Sequence, residues 1–191
     1  DFSQPPALGG PLAGEYNVDF GSMDLAGDVD SFAARLDDRE QQLGVLESLF
    51  RNRKRADEAW PSGQPVAKGW VSSHYGMRTD PFTGRRAMHG GLDFAGKPGS
   101  DVLAVAAGIV TWSGRESGYG NMVEISHGDG FVTRYAHNQK NLVAPGDLVR
   151  KGDPIALIGS TGRSTGNHVH YEVYKHGRSV DPSSYVHRTR R

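Results

Sequence analysis

Polar and apolar positions divide the chain into three regimes. The first 26 residues are rich in Gly, Pro and Ala and hold no steady periodicity. They predict a loop or an extended arm over 1–27 that needs a partner surface. Apolar residues then recur at Phe32, Leu36, Leu43, Leu46 and Phe50, with Arg39 in the sixth slot. The 4-3-4-3-4 spacing is that of a heptad seam, and charges fill the other faces, which predicts a helix over 28–59 with coiled-coil character. The segment is too short to be a secure coiled coil alone. Its stripe is expected to be buried on the following domain, on a copy of itself or on a protein partner. Trp60-Pro61-Ser62-Gly63 stops the helix, and 60–69 reads as a linker.

From Trp70 onward the pattern changes to strands and turns. The apolar stretches are VLAVAAGIVTW (102–112), NMVEIS (121–126), FVTRYAH (131–137), DPIALIG (153–159) and HVHYEVYK (168–175). Several alternate with period 2, and Gly-rich turns such as SGYGN, HGDG, APGD and STGRSTGN separate them. Short strands at regular spacing predict a mainly β, antiparallel domain over 70–185, a sandwich or a partly open barrel, followed by a basic tail over 186–191. No βαβ alternation and no internal repeat is visible, which argues against Rossmann and TIM architectures.

Composition narrows the picture. With 191 residues the chain has material for one real core and an appendage. A mean hydropathy of −0.55, and no apolar run near the ~20 residues of a membrane span, predict a soluble chain with no span. No signal-peptide pattern opens at Asp1, so the sequence reads as a trimmed or mature form. Cysteine is absent, which removes thiol catalysis and Cys-type zinc sites. Residues 1–58 carry 12 acidic and 6 basic residues, a net of −6; residues 59–191 carry 10 and 16, a net of +6. All eight histidines lie at or beyond His74. A basic domain suits an anionic polymer, although ordinary surface variation explains a charge of this size equally well. No nucleic-acid partner is expected.

The candidate chemistry sits in two short runs, MHGGLDF with His89 and Asp93, and GNHVHYE with His168 and His170. Alternation on a strand sends His168, His170 and Glu172 to one face, and Val169, Tyr171 and Val173 to the other. An H-x-H on a strand, taken alone, is more often a solvated or hydrogen-bonded pair. Joined to a third imidazole and a carboxylate, it offers enough N and O donors for Zn²⁺ with a position left for water. The two glycines after His89 let the backbone fold tightly, so that His89 and Asp93 can converge. His137, in RYAHN, is the candidate for a supporting role. Spacing leaves open which histidine of the H-x-H pair binds metal. His127 reads as a turn residue, and His74, His176 and His187 as surface or local hydrogen-bonding residues. The Gly-Ser-Thr-rich runs 113–120 and 159–166 are candidate groove walls, with simple loop chemistry an equal reading.

At these motifs the chain resembles the lysostaphin-type zinc endopeptidases, the M23 or LytM peptidase family. The matching runs are SSHYGMRTDPFTG, MHGGLDFAGKPGSDVLAVAAGIV, GYGNMVEISHG, TRYAHN, VRKGDPIALIGSTGRSTGNHVHYEV and DPSSY, in family order. The resemblance implies that His89, Asp93 and His170 bind one Zn²⁺ and that His137 and His168 are the catalytic histidines. It also implies a groove in an antiparallel β domain, peptidoglycan stem or cross-bridge peptides as substrate, and a periplasmic or cell-envelope setting. The region before residue 60 resembles the helical segments that precede such domains in cell-envelope proteins of Gram-negative bacteria. The expected function is hydrolysis of peptide bonds in peptidoglycan by zinc-activated water with histidine acid–base help. Two other classes stay open at this point: an inactive relative that activates another cell-wall hydrolase, and a wall-binding scaffold working through its helix.

Overall fold

The computed structural model describes residues 25–186. The expected arm, up to residue 24, and the tail from residue 187, with His187, lie outside the described residues. A helix, α1, spans Leu25–Ala59. It runs from one compact unit, ending at Ser48, into a second that begins at Leu49. Along it, Phe32, Leu36, Leu43, Leu46 and Phe50 are 49–71% exposed. Among the described residues the heptad stripe is therefore present on the helix and exposed, not buried.

Thirteen strands follow among the described residues: β1 (Trp70–Ser73), β2 (Gly76–Thr79), β3 (Arg86–His89), β4 (Leu92–Ala95), β5 (Asp101–Leu103), β6 (Gly108–Glu116), β7 (Gly120–Gly128), β8 (Phe131–Asn138), β9 (Lys140–Asn141), β10 (Leu148–Val149), β11 (Pro154–Leu157), β12 (His168–Lys175) and β13 (Arg178–Val180). A one-turn helix, α2, closes the order at Ser183–Val186. The main sheet is ordered β1-β4-β12-β8-β7-β6-β10, with β13 continuing the β4 edge of β12. A second sheet is ordered β5-β11-β9, and β2 and β3 form a separate hairpin. The pairings are antiparallel and the sheets stay open, with no closed barrel.

Alternation explains how the main sheet serves two purposes. Leu92 and Phe94 of β4, Val169, Tyr171 and Val173 of β12, and Phe131 and Tyr135 of β8 join Val102, Ile155 and Ala156 of the small sheet in one buried cluster. The residues between them in β4 and β12 are Asp93, His168, His170 and Glu172, which face the other way. Residues 60–66 are tied to this domain as well. The Trp60 ring lies 4.9 Å from Phe131, Ser62 N donates to Val105 O, and Val66 is buried and bridged to Val102. His127 is not a turn residue. It is buried in β7, where its ring bonds Ala107 O at 2.8 Å and Thr133 Oγ1 at 2.7 Å.

Candidate metal centre

Strand register places the first two donors. Asp93 and His170 stand directly opposite each other in the β4–β12 pair. His89 ends β3, two residues before β4, and the turn Gly90-Gly91 returns the chain so that its ring meets the other two. Neither glycine has a positive φ among the described residues. Their use is space rather than turn geometry. A β-carbon on Gly91 would run into the backbone carbonyl oxygen of Tyr171 and sit 2.9 Å from His170 Cε1 and 3.0 Å from Glu172 Cγ, and one on Gly90 would sit 2.9 Å from Glu172 Oε1. Gly91→Ala should therefore displace the β12 backbone at Tyr171, and His170 and Glu172 with it, at a cost of ~1–3 kcal/mol typical of overpacking. Thermal unfolding and zinc titration check this; a variant with unchanged melting temperature and zinc affinity would sink the account.

Three donor atoms converge. His89 Nε2 lies 3.1 Å from Asp93 Oδ1 and 3.1 Å from His170 Nδ1, and His170 Nδ1 lies 2.7 Å from Asp93 Oδ1. All three residues are buried. Ligands about 2.1 Å from a tetrahedral Zn²⁺ are about 3.4 Å from one another, close to these separations.

The outer nitrogens fix what the inner ones carry. His89 Nδ1 is 2.7 Å from the carbonyl oxygen of His74, which only accepts, so that nitrogen holds a proton. His170 Nε2 donates to Glu172 Oε1 at 3.1 Å. In the neutral rings the inner nitrogens are then bare lone pairs, turned on each other and on a carboxylate oxygen. A proton on His170 Nδ1, donated to Asp93 Oδ1, relieves that repulsion, and so does a metal cation among the three; the donor set fits Zn²⁺. The same crowding perturbs titration. Burial alone would lower His170, but its bonds to Asp93 and Glu172 lift it to about 9. Burial would raise the Asp93 carboxyl; His170 and His89 outweigh it and hold it well below the usual carboxylate range. Arg78 Nη2 stands 3.6 Å from the second Asp93 oxygen.

Two further imidazoles border the donors. His168 Nδ1 donates to Gly166 O at 2.8 Å, which leaves Nε2 bare, 3.7 Å from Asp93 Oδ1. His137 Nδ1 donates to Thr161 O at 2.8 Å, which leaves its Nε2 bare too. The two rings are 4.9 Å apart. His137 has φ +63°, a left-handed conformation that costs a β-carbon-bearing residue ~1 kcal/mol or more. Its backbone N donates to Tyr119 O at 2.8 Å, and that bond helps hold the conformation. Without the reversal, alternation along β8 would turn this side chain to the core. Burial, the largest influence, pushes His137 down to about 4, with His168 and His170 adding to it against the Thr161 bond.

These groups line a cleft of about 260 Å³. Gly118 and Tyr119 from one glycine-rich run, and Arg163, Ser164 and Thr165 from the other, form part of its wall. The β2–β3 hairpin forms another part. Asp80, in its turn, receives two bonds from Arg163 Nη2 at 2.7 and 2.8 Å, and Arg163 stacks on Phe82 at 4.3 Å. Sequence reading missed this bridge, the Arg78–Asp93 contact and the use of the His74 carbonyl. All three are contacts between side chains or carbonyls distant in sequence, and periodicity carries no signal for them. His176 lies in the β12–β13 turn with φ +50°.

An open antiparallel domain with two histidines and a carboxylate converging beside two free imidazoles has the features of a metallopeptidase. Residues 87–182 match Peptidase family M23, and the chain belongs to that family. It is 43% identical over 121 residues, 63% of this chain, to the DD-carboxypeptidase/endopeptidase Mpg of Neisseria meningitidis serogroup B. It is 38% identical over 177 residues, 91% of this chain, to the peptidoglycan DD-endopeptidase ShyB of Vibrio cholerae serotype O1. The chain spans 28% and 39% of the lengths of those two proteins. The crystal structure of a zinc-containing peptidase from Vibrio cholerae superposes with a TM-score of 0.59 at 40% identity, over 63% of this chain and 38% of that one.

Proposed function

We propose that the β domain is a zinc-dependent endopeptidase that hydrolyses peptide bonds in peptidoglycan stem or cross-link peptides. The observation that carries this reading is the convergence of His89, Asp93 and His170 on one point beside the bare Nε2 atoms of His137 and His168. The proposed roles are ligation by the first three and proton transfer by the last two. Bound there, Zn²⁺ would supply Lewis acidity to a carbonyl oxygen and lower the pKa of a water from ~15.7 towards ~7.

The chain's own groups do the rest. His137, neutral at pH 7, accepts a proton at Nε2 from the attacking water, and His168 Nε2 stands on the other side of the same space. Rings 4.9 Å apart disfavour double protonation, so one imidazole takes up a proton while the other stays neutral. The charged ring then stabilises developing oxyanion charge or returns its proton to the leaving amine. The cleft walls from 113–120 and 159–166 orient the extended peptide. No side-chain nucleophile is required.

The activities named for Mpg and ShyB make a D,D-peptide bond the first substrate to test, and a periplasmic or cell-envelope setting agrees with them. The exposed seam of α1 supports a protein partner or self-association. Among the described residues no helix is long and apolar enough to cross a membrane. Purified sacculi incubated with the zinc-loaded protein should release cleaved muropeptides, identified by mass spectrometry, and chelator should prevent it. An unchanged muropeptide profile with zinc bound would replace this reading with that of an inactive activator.

A further inference from the structure

We propose that Glu172 is a positioning residue of the metal centre: its carboxylate fixes the His170 ring so that Nδ1 faces the ion, and its negative charge strengthens that nitrogen as a donor. The inference rests on the metallopeptidase reading above.

Alternation along β12 puts Glu172 on the same face as His170, two residues on, and the residue is 3% exposed. An ionised carboxylate in such a place is costly unless its oxygens are matched. Here both are. Oε1 accepts from His170 Nε2 and from Tyr119 OH, each at 3.1 Å. Oε2 accepts from Tyr174 OH at 3.1 Å and faces Arg134 Nη1 at 3.9 Å. Arg134 is itself held, by Glu124 Oε2 at 2.8 Å and by the Tyr174 ring at 4.6 Å. The Gly90-Gly91 turn closes over the remaining side. The carboxylate therefore cannot swing away from His170, and His170 cannot turn its Nε2 inward without losing its partner.

The two proposed histidine ligands are treated differently. His89 gives its outer proton to a neutral carbonyl, whereas His170 gives its outer proton to a full negative charge. A carboxylate behind a ligating imidazole raises the basicity of the metal-facing nitrogen, and losing such a partner typically costs ~10–100-fold in metal affinity. A buried charge kept only to fill space is a poor choice, since apolar residues of similar volume often do as well or better.

The test is zinc affinity of the full chain, measured by competition with a chromophoric chelator, for wild type, Glu172→Gln, Glu172→Leu and Tyr174→Phe. Glu172→Leu should bind zinc ~10–100-fold more weakly. Glu172→Gln, which keeps an acceptor of the same shape but no charge, should lose a smaller part of that, at least about threefold. Tyr174→Phe removes the hydrogen bond to Oε2 but leaves the Glu172–His170 bond and the charge in place, and should weaken zinc binding less than Glu172→Gln does. Thermal unfolding of the metal-free proteins separates folding damage from the effect proposed, and if Glu172→Leu fails to fold, Glu172→Gln carries the test. A Glu172→Gln loss smaller than about threefold overturns the inference and leaves the metallopeptidase reading standing. Wild-type protein that binds no zinc overturns both.

Discussion

His170→Ala should leave a folded domain that no longer holds zinc and no longer cleaves peptide. Three donors separated by 2.7–3.1 Å act as a unit, and two of them cannot close a tetrahedral site around the ion. Removing this ring also leaves Glu172 Oε1 without the His170 Nε2 donor, a loss of stability that thermal unfolding reads separately from zinc binding. Affinity should therefore fall further than for any change around the ligands, and turnover should fall to background. Asp93→Ala should behave alike, and chelator should have the same effect on the unaltered protein, reversed by added zinc. Elemental analysis of the reconstituted variants decides the point. A His170→Ala protein that still carries one zinc per chain, with His168→Ala losing it, would exchange the assignments of those two residues.

The fold was legible where one face of a strand is buried and the other is not. HVHYEVYK and FVTRYAH alternate because β12 and β8 lie between a core and a cleft, and their limits follow the pattern. The stretch 102–112 reads as one apolar run, yet the structure divides it into β5 and β6, which belong to different sheets. Both pieces contribute to one core, so composition does not register the break. The β2–β3 hairpin left no apolar trace, being rich in charge. Its turn is made by Asp80 Oδ1, which accepts from the N–H groups of Phe82 and Thr83 at 2.8 and 2.9 Å.

The candidate site was legible in residue type and only partly in geometry. His89, Asp93, His168 and His170 could be picked from two short runs because histidine and aspartate next to glycine-rich turns are chemically conspicuous. That Asp93 and His170 are cross-strand partners depends on the pairing of β4 with β12, across a sequence separation no local pattern spans. The glycines after His89 were visible, but the reason for them was not. They make room for His170 and Glu172, which arrive from the far end of the domain. Glu172 itself was on the right face by alternation. Its hydrogen-bonded setting shows only once Tyr119, Tyr174 and Arg134 are seen around it.

His137→Ala and His168→Ala should separate chemistry from metal binding. Neither ring belongs to the three converging donors, so both variants should retain zinc with affinity near wild type. Each should lose ~10²–10⁴-fold in turnover, the usual contribution of a positioned acid or base. The loss should appear in kcat rather than KM, because proton transfer matters in the transition state and not in holding the peptide. The two variants should not be additive. If one imidazole takes the proton and the other stabilises the charge that develops, removing either disables the same step, and the double variant should be little worse than the worse single one. His137→Ala carries a second signature. Alanine at φ +63° keeps the strain of the left-handed backbone while losing the ring's bond to Thr161 O. Its melting temperature should drop below that of His168→Ala, whereas His137→Gly should recover stability without recovering rate. Steady-state kinetics on a soluble cross-linked muropeptide, zinc content and thermal unfolding measured side by side check these claims. A His137→Gly protein with wild-type turnover would show that the residue is there for the bend in β8 and not for its imidazole.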